Sequence, residues 1–380
     1  MSQTVQIPDA TVAEAPETTP LAASLLAGEA SALELKMHRG ARTPVGFAGI
    51  TSELQALLAG AGVFDLGYRT IVHATGKDRV RWLNGMITQT VKGLAPGQVA
   101  YTLVLNPQGR IQGDADVYCS DESLLLETDR SQSERLLTHL RRYIIMDDVK
   151  LEALEPPPPA LGIAGPQAAE VLAKLGSAAP ESGTFRTAQI ADAEVTVIAH
   201  AGHPLVPRFE IHLPAGQVLT VWKALIGAGA TPCGVGALES LRILEGVPLY
   251  DADFSDKHLP QEVNLPLALN FTKGCYIGQE IVERIRARAT VHRALRQFEL
   301  SGVALRLGPG EKIELRSEGA AVGELTSVAT FDLPGLTKTL ALGVVRVEAL
   351  ERSEKENVPI TYDSGTVVPL AGPPNSLVSS

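Results

Sequence analysis

The sequence predicts an α+β protein of three lobes. Three patterns carry this prediction: an early β-hairpin signature closed by an amphipathic helix, a middle stretch in which strands and helices alternate, and a C-terminal stretch built only of short strands broken by Gly and Pro. At 380 residues the chain is too long for one ordinary core.

Residues 1–20 are rich in Thr, Ala, Pro and Glu and contain no aromatic residue, so a disordered stretch is expected there, within a disordered or extended tail over 1–40. A first unit is expected over 41–155. In it YRTIVHAT (68–75) reads as a strand, and Val80, Leu83, Ile87 and Val91 fall at helical spacing. VAYTLVL and RIQGDADVY flank Asn106-Pro107-Gln108-Gly109, the residue signature of a type I turn, and predict a hairpin. SLLLETD supplies a third strand, and SQSERLLTHLRRYII a helix opened by a Ser cap. EPPPPA (155–160) is a proline-rich break.

The segment 160–232 reads strand, helix, strand, strand, helix, which suits a small ferredoxin-like unit. Residues 233–250 contain ALESLRILEG, a short helix. From 293 to 372, ALRQFELSG, KIELRS, AVGELTSVAT and LALGVVRV predict a small β-barrel.

The composition is ordinary for a soluble globular protein, at 45% hydrophobic and 20% charged residues, and the net charge is −10. That charge argues against a chain that coats nucleic acid or anionic membrane. No run of about 20 apolar residues suggests a membrane span. No Lys or Arg precedes Lys36, so a basic secretory or transit leader is not expected. The cysteines, Cys119, Cys233 and Cys275, are few, odd in number and far apart. Reduced thiols in a cytoplasmic protein are expected, without a disulfide framework or a structural zinc site.

Familiar site motifs are missing. There is no P-loop, and GAGATPCGVG lacks the third Gly of a dinucleotide fingerprint. His200 and His203 in HAGH have i,i+3 spacing but no third ligand nearby in sequence; a solvated loop pair is expected and no metal is assigned.

FTKGCYIGQEIVERIRAR (271–288) stands apart. A thiol beside a cation or ahead of a helix N-terminus ionises more readily. Cys275 follows Lys273, and Ile277, Ile281 and Ile285 predict a helix beginning near Gly278. Gly274 and Gly278 permit tight turns or close backbone approach. A buried small side chain at a domain junction is equally compatible with the local pattern. Arg284, Arg286, Arg288, His292, Arg293 and Arg296 crowd the next stretch and are candidates for an anion site, or for a solvated face paired with Glu280 and Glu283. Asp114, after the hairpin turn, and Glu210, in RFEIHLP, are carboxylates on half-apolar strands. Either could accept from a flat ligand edge bearing adjacent N–H donors, or face solvent.

KGCYIGQE (273–280) resembles the signature of YgfZ-type folate-binding proteins, which include mitochondrial iron–sulfur maturation factors. GVFDLGYR, YTLVLNPQGRI, GIAGPQAAEVL, RFEIHLP, LRILEG and VGELTS resemble, in order, the related T-protein of the glycine cleavage system, an aminomethyltransferase. The resemblance spans about 43–350. It implies a three-domain T-protein fold with the folate-binding domain over 41–155 and 233–290, a monomer, and tetrahydrofolate as cofactor. It implies Glu210 as the pterin partner, and Tyr101, Asn106, Asp114, Arg242, Lys273, Gly274, Gly278, Gln279 and Glu280 as further folate-site positions, to which charge alone adds Arg293. The basic run is an inferred holder of the folate tail. The T-protein acidic pair is only half kept, as Gly113-Asp114; Leu238 replaces a T-protein arginine, and the loop before Glu210 lacks the TGYTGE-like sequence. The expectation that follows is a tetrahydrofolate-binding accessory protein for assembly or repair of iron–sulfur enzymes, with Cys275 as the reactive residue and iron–sulfur clients or assembly factors as partners. The alternative is an aminomethyltransferase acting on an aminomethyl-lipoyl carrier.

Overall fold

The computed structural model describes residues 17–28, 33–202, 205–288, 291–302, 307–308 and 310–371. The chain opens with α1 (Pro20–Ala27), β1 (Leu35–His38), β2 (Ala41–Pro44), α2 (Ile50–Ala59), β3 (Gly62–Asp65), β4 (Arg69–Thr75), α3 (Arg79–Asn84), β5 (Val99–Leu105), β6 (Ile111–Cys119), β7 (Leu124–Asp129), α4 (Arg130–Arg141) and β8 (Lys150–Ala153). The middle holds β9 (Ala160–Ala164), α5 (Ala168–Lys174), β10 (Thr184–Ile190), β11 (Ala193–Ala199), β12 (Arg208–His212), α6 (Val218–Gly227), β13 (Thr231–Cys233) and α7 (Val235–Glu245). Then come α8 (Pro260–Val263), α9 (Gln279–Arg288), β14 (Arg293–Gly302), β15 (Ile313–Ser317), β16 (Ala320–Leu333), β17 (Leu336–Arg346), α10 (Val347–Glu356), β18 (Ile360–Tyr362) and β19 (Gly365–Leu370).

The early hairpin forms as its turn residues dictate. The Gly109 amide donates to the Asn106 carbonyl at 2.9 Å, and the Asn106 side chain accepts from the Arg110 amide. β5 and β6 then pair with β7, β4 and β8 in an antiparallel sheet of order β5-β6-β7-β4-β8. The predicted barrel is also present, closed in the order β14-β17-β16-β15-β18-β19.

The middle unit is larger than the pattern of its own segment suggests. Its sheet runs β10-β11-β12-β9-β3-β13 and takes β3 from before residue 160. All four residues of β3 are buried, so it behaves as an interior strand, antiparallel to β9 and parallel to β13. Gly162 lies opposite Phe64; a Cβ there would sit 1.9 Å from the ring, so only glycine lets these strands close. TFRTAQI adds β10, a further strand that the sequence pattern did not single out.

Three local expectations are corrected. Residues 20–27 are helical, with Leu21 and Ala22 fully buried, and Leu35–His38 pair with β2. The tail assignment therefore fails over 17–28 and 33–40, and residues 1–16 and 29–32 lie outside the described residues. α3 ends at Asn84 instead of running to Val91, because Gly85 closes it and Ile87 bridges Val104 across to β5. α4 starts directly after Asp129 with no side-chain cap, because that carboxylate is engaged by arginines.

Arg242 on α7 joins the middle unit to the barrel. Its guanidinium meets Asp253 at 2.7 Å, Glu239 at 2.8 Å and the Ser327 hydroxyl of β16 at 2.8 Å. Asp253 also accepts from Thr326, Ser327 and the Leu249 amide. Both charges are buried, so removing one strands the other. Asp253→Ala is expected to lower unfolding free energy by about 3–5 kcal/mol, read from urea unfolding curves.

Candidate functional site

At the junction of the first two sheets, buried polar side chains form one connected cluster. Arg69, the first residue of β4, lies 2.8 Å from Asp116 on β6, 3.4 Å from Glu127 on β7 and 3.4 Å from Asp129 at the end of β7. Arg39 meets Asp129 from the β1–β2 turn at 2.5 Å. From the middle sheet, His212 on β12 reaches Glu127 at 3.1 Å. His200, just after β11, lies 3.3 Å from Asp116 and 3.1 Å from Glu210. Glu210 also lies 3.9 Å from His212. Tyr118 donates to Glu127 and turns its ring edge-on to both imidazoles.

Electrostatics in this cluster are dominated by pairing. Burial opposes charge on His200, but Glu210 and Asp116 outweigh it and hold its pKa well above the usual value. His212 is raised in the same way by Glu127 and Glu210 against the same burial. Burial opposes ionisation of Glu127, yet Arg69 and His212 hold it well below the usual carboxylate range. Asp129 is raised, because its burial exceeds the help of Arg39 and Arg69.

Asp114 sits at the edge of this cluster. It accepts from the Tyr101 hydroxyl at 2.7 Å and from the Gln132 amide at 2.8 Å. Gln132 also accepts from the Asp114 backbone N–H, so one α4 side chain fixes both ends of this residue. No cation pairs with the Asp114 carboxylate among the described residues. A Cβ on Gly113 would lie 2.6 Å from the Gln132 oxygen and 2.8 Å from Leu136, so a second acid there would displace the Gln132 side chain that holds Asp114.

The cysteine segment lies elsewhere, stitched to the chain after α3. The Ile277 amide donates to Gly85, Asn270 to Thr88, and Thr88 to Ala268. The Lys273 ammonium donates to the carbonyls of Ile87 and Gln89 at 2.7 and 2.6 Å and lies 5.2 Å from the Tyr276 ring centre. Burial pushes its pKa down to about 7. This amine is spent on backbone, which corrects its expected role as the cation beside Cys275. Cys275 is exposed while Tyr276 is buried, so the thiol projects from an anchored segment and the buried-thiol alternative is excluded. Cys119 and Cys233 are buried.

The remaining predicted positions divide. Gly278 has φ +82°, and a Cβ there would meet the Asn106 carbonyl at 2.7 Å; this glycine lets the helix start lie on the hairpin turn. Gly274 has open space around it. Gln279 accepts from the Tyr276 amide, and α9 begins at Gln279, close to the predicted start. Glu280 is exposed and pairs with Arg284. Arg286 pairs with Glu283 and lies 4.5 Å from the Phe271 ring centre. Arg293 pairs with Glu262, and Arg242 belongs to the barrel joint described above. A cavity of about 260 Å³ lies beside the basic run, lined by Leu259, Gln261, Glu262, Arg284, Ile285, Val291 and His292. The structure thus gathers Tyr101, Asp114 and Glu210 near one junction, and Asn106, Gly278 and Gln279 near another.

His200 corrects the expectation of solvated histidines. Its side chain is only 10% exposed and is wedged between two carboxylates. His203 lies outside the described residues. Arg69, Asp116, Glu127, Asp129, Gln132, Tyr118 and His212 were not singled out from sequence. The one available signal was a polar residue at alternate positions of otherwise apolar strands, as in Asp116 between Ala115 and Val117.

An antiparallel and a mixed sheet meeting at a polar junction, with a closed barrel behind, define an α+β protein of the aminomethyltransferase-like class. The family model described as the GCVT N-terminal domain matches residues 30–273, well over half of the chain, and the chain belongs to that family. The match ends at Lys273, so Cys275 lies beyond it. The chain is 28% identical over 311 residues to an aminomethyltransferase of Herpetosiphon aurantiacus, covering 81% of this chain and 85% of that protein. It is 29% identical over 266 residues to an aminomethyltransferase of Rubrobacter xylanophilus, covering 69% and 71%. The crystal structure of the glycine cleavage system aminomethyltransferase T from Bartonella henselae superposes with a TM-score of 0.81 at 22% identity, over 96% of this chain and 98% of that one. The three-lobed T-protein fold expected from sequence is therefore present. No helix among the described residues is long and apolar enough to cross a membrane.

Gly278→Ala is expected to cost about 1–3 kcal/mol, because it combines a positive φ with a backbone clash. A fall in thermal midpoint relative to Gly274→Ala, which has open space, is the check.

Proposed function

We propose that this chain binds tetrahydrofolate at the junction of its first two sheets and transfers to it a one-carbon unit from an aminomethyl-lipoyl carrier. The observation that carries this reading is the state of Asp114. Its carboxylate is aimed by two neutral donors, Tyr101 and Gln132, and has no cationic partner among the described residues. A carboxylate held this way completes its coordination by accepting from, or taking a proton from, a ligand amine. The packing around Gly113 leaves Asp114 to do this alone. Glu210, on the facing strand β12, is the proposed acceptor for the pterin ring, whose adjacent N–H groups match a carboxylate edge. The fold and the names of the relatives support the same reading.

A second reading is maintenance of iron–sulfur enzymes, with such enzymes or their assembly factors as partners. Cys275 favours it: an exposed thiol on a segment tied down on both sides is accessible to metal or to another sulfur. It shares the folate pocket with the first reading and differs in which group does the work.

Tetrahydrofolate-dependent release of ammonia from an aminomethyl-lipoyl substrate tests the transferase. Turnover should fall about a hundredfold in Asp114→Asn, and folate affinity about tenfold in Glu210→Ala. No ammonia release from the folded, folate-bound parent would remove the transferase reading. Restored iron–sulfur enzyme activity in a deficient host, lost on Cys275→Ser, would then identify the second reading as the function; full restoration by Cys275→Ser would exclude a role for the thiol.

A further inference from the structure

Apart from Glu210, the central cluster consists of groups that neither reading of the function requires. Glu127, Glu210 and His212 offer ligand atoms that all lie within 4.8 Å of one another, and Asp116, Glu127 and His200 form an overlapping set. The separations are 3.1 Å for His212 Nε2 to Glu127 Oε1, 3.9 Å for His212 Nε2 to Glu210 Oε2 and 3.1 Å for His200 Nε2 to Glu210 Oε2. Ligands about 2.0–2.1 Å from a tetrahedral ion stand roughly 3.3 Å apart, so these spacings bracket the requirement.

A second observation points into the same space. Glu210 is 92% buried, its residue exposure being 8%. Its Oε2 lies between the Nε2 atoms of His200 and His212, yet it makes no hydrogen bond, and neither does His200 Nε2. The two atoms are close enough to pair, but the N–H direction misses the oxygen. A buried carboxylate oxygen and a buried imidazole nitrogen that share a space without bonding to each other are what two ligands of one ion look like.

The surroundings fit a metal as well. Asp116, Glu127, Asp129 and Glu210 bring four carboxylates, and Arg39 and Arg69 bring two guanidiniums, so two negative charges are left over. One divalent ion balances them with both imidazoles neutral. His200 Nδ1 lies 3.3 Å from Asp116 Oδ1, the carboxylate support that orients a metal-bound imidazole. Tyr118 holds the other oxygen of Glu127, and Oε1, now hydrogen-bonded to His212 Nε2 at 3.1 Å, faces the second candidate ligand, so the ion would take the place of the proton between them.

We propose that Glu127, Glu210, His200 and His212 bind one divalent first-row ion of the zinc class, with Asp116 and Tyr118 as positioning residues. Two imidazoles with two carboxylates suit zinc better than magnesium or calcium, which prefer oxygen alone. Arg69, 3.4 Å from Glu127 Oε1, remains the cation that ties the ligand carboxylates to the first sheet. The inference is independent of the folate reading, because the ion is measured with no folate present.

The test uses the full chain carrying Cys275→Ser, so that the exposed thiol does not compete. Protein stripped with chelator is titrated with Zn²⁺ by calorimetry, and separately with Co²⁺ followed by visible absorption. One equivalent of ion is expected, with a Co²⁺ spectrum of low-symmetry N/O coordination and a rise in thermal midpoint at saturation. His212→Gln and His200→Gln should each weaken affinity about tenfold or more. If either unfolds by circular dichroism, the isosteric Glu210→Gln decides in its place and should have the same effect. Absence of stoichiometric uptake by the parent overturns the proposal and leaves the charge balance to imidazolium protons. Unchanged affinity in the folded variants overturns it equally.

Discussion

The position of Arg69 is the constraint on which the central junction depends. Its guanidinium is the only group that reaches Asp116, Glu127 and Asp129 together among the described residues. Those three carboxylates come from two neighbouring strands, and like charges that close repel strongly at low dielectric. Without a guanidinium between them β6 and β7 could not present all three to one space. Two of the three then reach across to histidines of the middle sheet, so the two sheets are joined by charge as well as by apolar packing. A buried ionic network of this kind is weak as a source of stability, since desolvation offsets most of the attraction. Its effect is on position: it sets where Glu210 and the two imidazoles stand relative to Asp114.

The cysteine segment is positioned by different forces. Its contacts with residues 85–89 are backbone hydrogen bonds, the bond from the Thr88 hydroxyl to the Ala268 carbonyl and the two carbonyls that hold Lys273, and its apolar anchor is Tyr276 in a core shared with Leu103, Leu105 and Phe254. That core explains why α3 stops early. Residues 85–89 supply carbonyls to the later segment, and a continuing helix would have spent them on its own ladder. The cost of the short helix is thus offset by a seam between regions nearly two hundred residues apart in sequence.

How far each feature was legible follows from its range. The hairpin turn, the barrel strands and α9 were readable because their signals are local: Asn-Pro-Gln-Gly, alternation, and isoleucines at helical spacing. β3 was not assigned to the middle sheet, because its buried GVFD pattern says that it is interior without saying beside which strand. Lys273 looked like the activator of Cys275 because only Gly274 separates them, but side-chain direction, which sequence distance does not carry, sends its amine to Ile87 and Gln89. His200 looked solvated because its partners, Asp116 and Glu210, are remote or lie on another strand. Asp114 and Glu210 stood out for the right reason, a carboxylate on a half-buried strand, whereas Asp116 and Glu127 show the same pattern and were passed over for want of a motif.

The two candidate centres share strand β5. Tyr101 orients Asp114 near its middle, and Asn106, just past its end, carries the turn on which Gly278 rests. At about 3.4 Å per residue, five residues of strand place these points roughly 17 Å apart on a rigid element. That separation allows one centre to change without dismantling the other. The packing of Gln132 and Leu136 against Gly113 alters the acidic edge of the first centre, yet every bond that holds the cysteine segment lies outside that contact. An exposed thiol can therefore coexist with the polar junction, because the strand that connects them transmits position and leaves their chemistry separate.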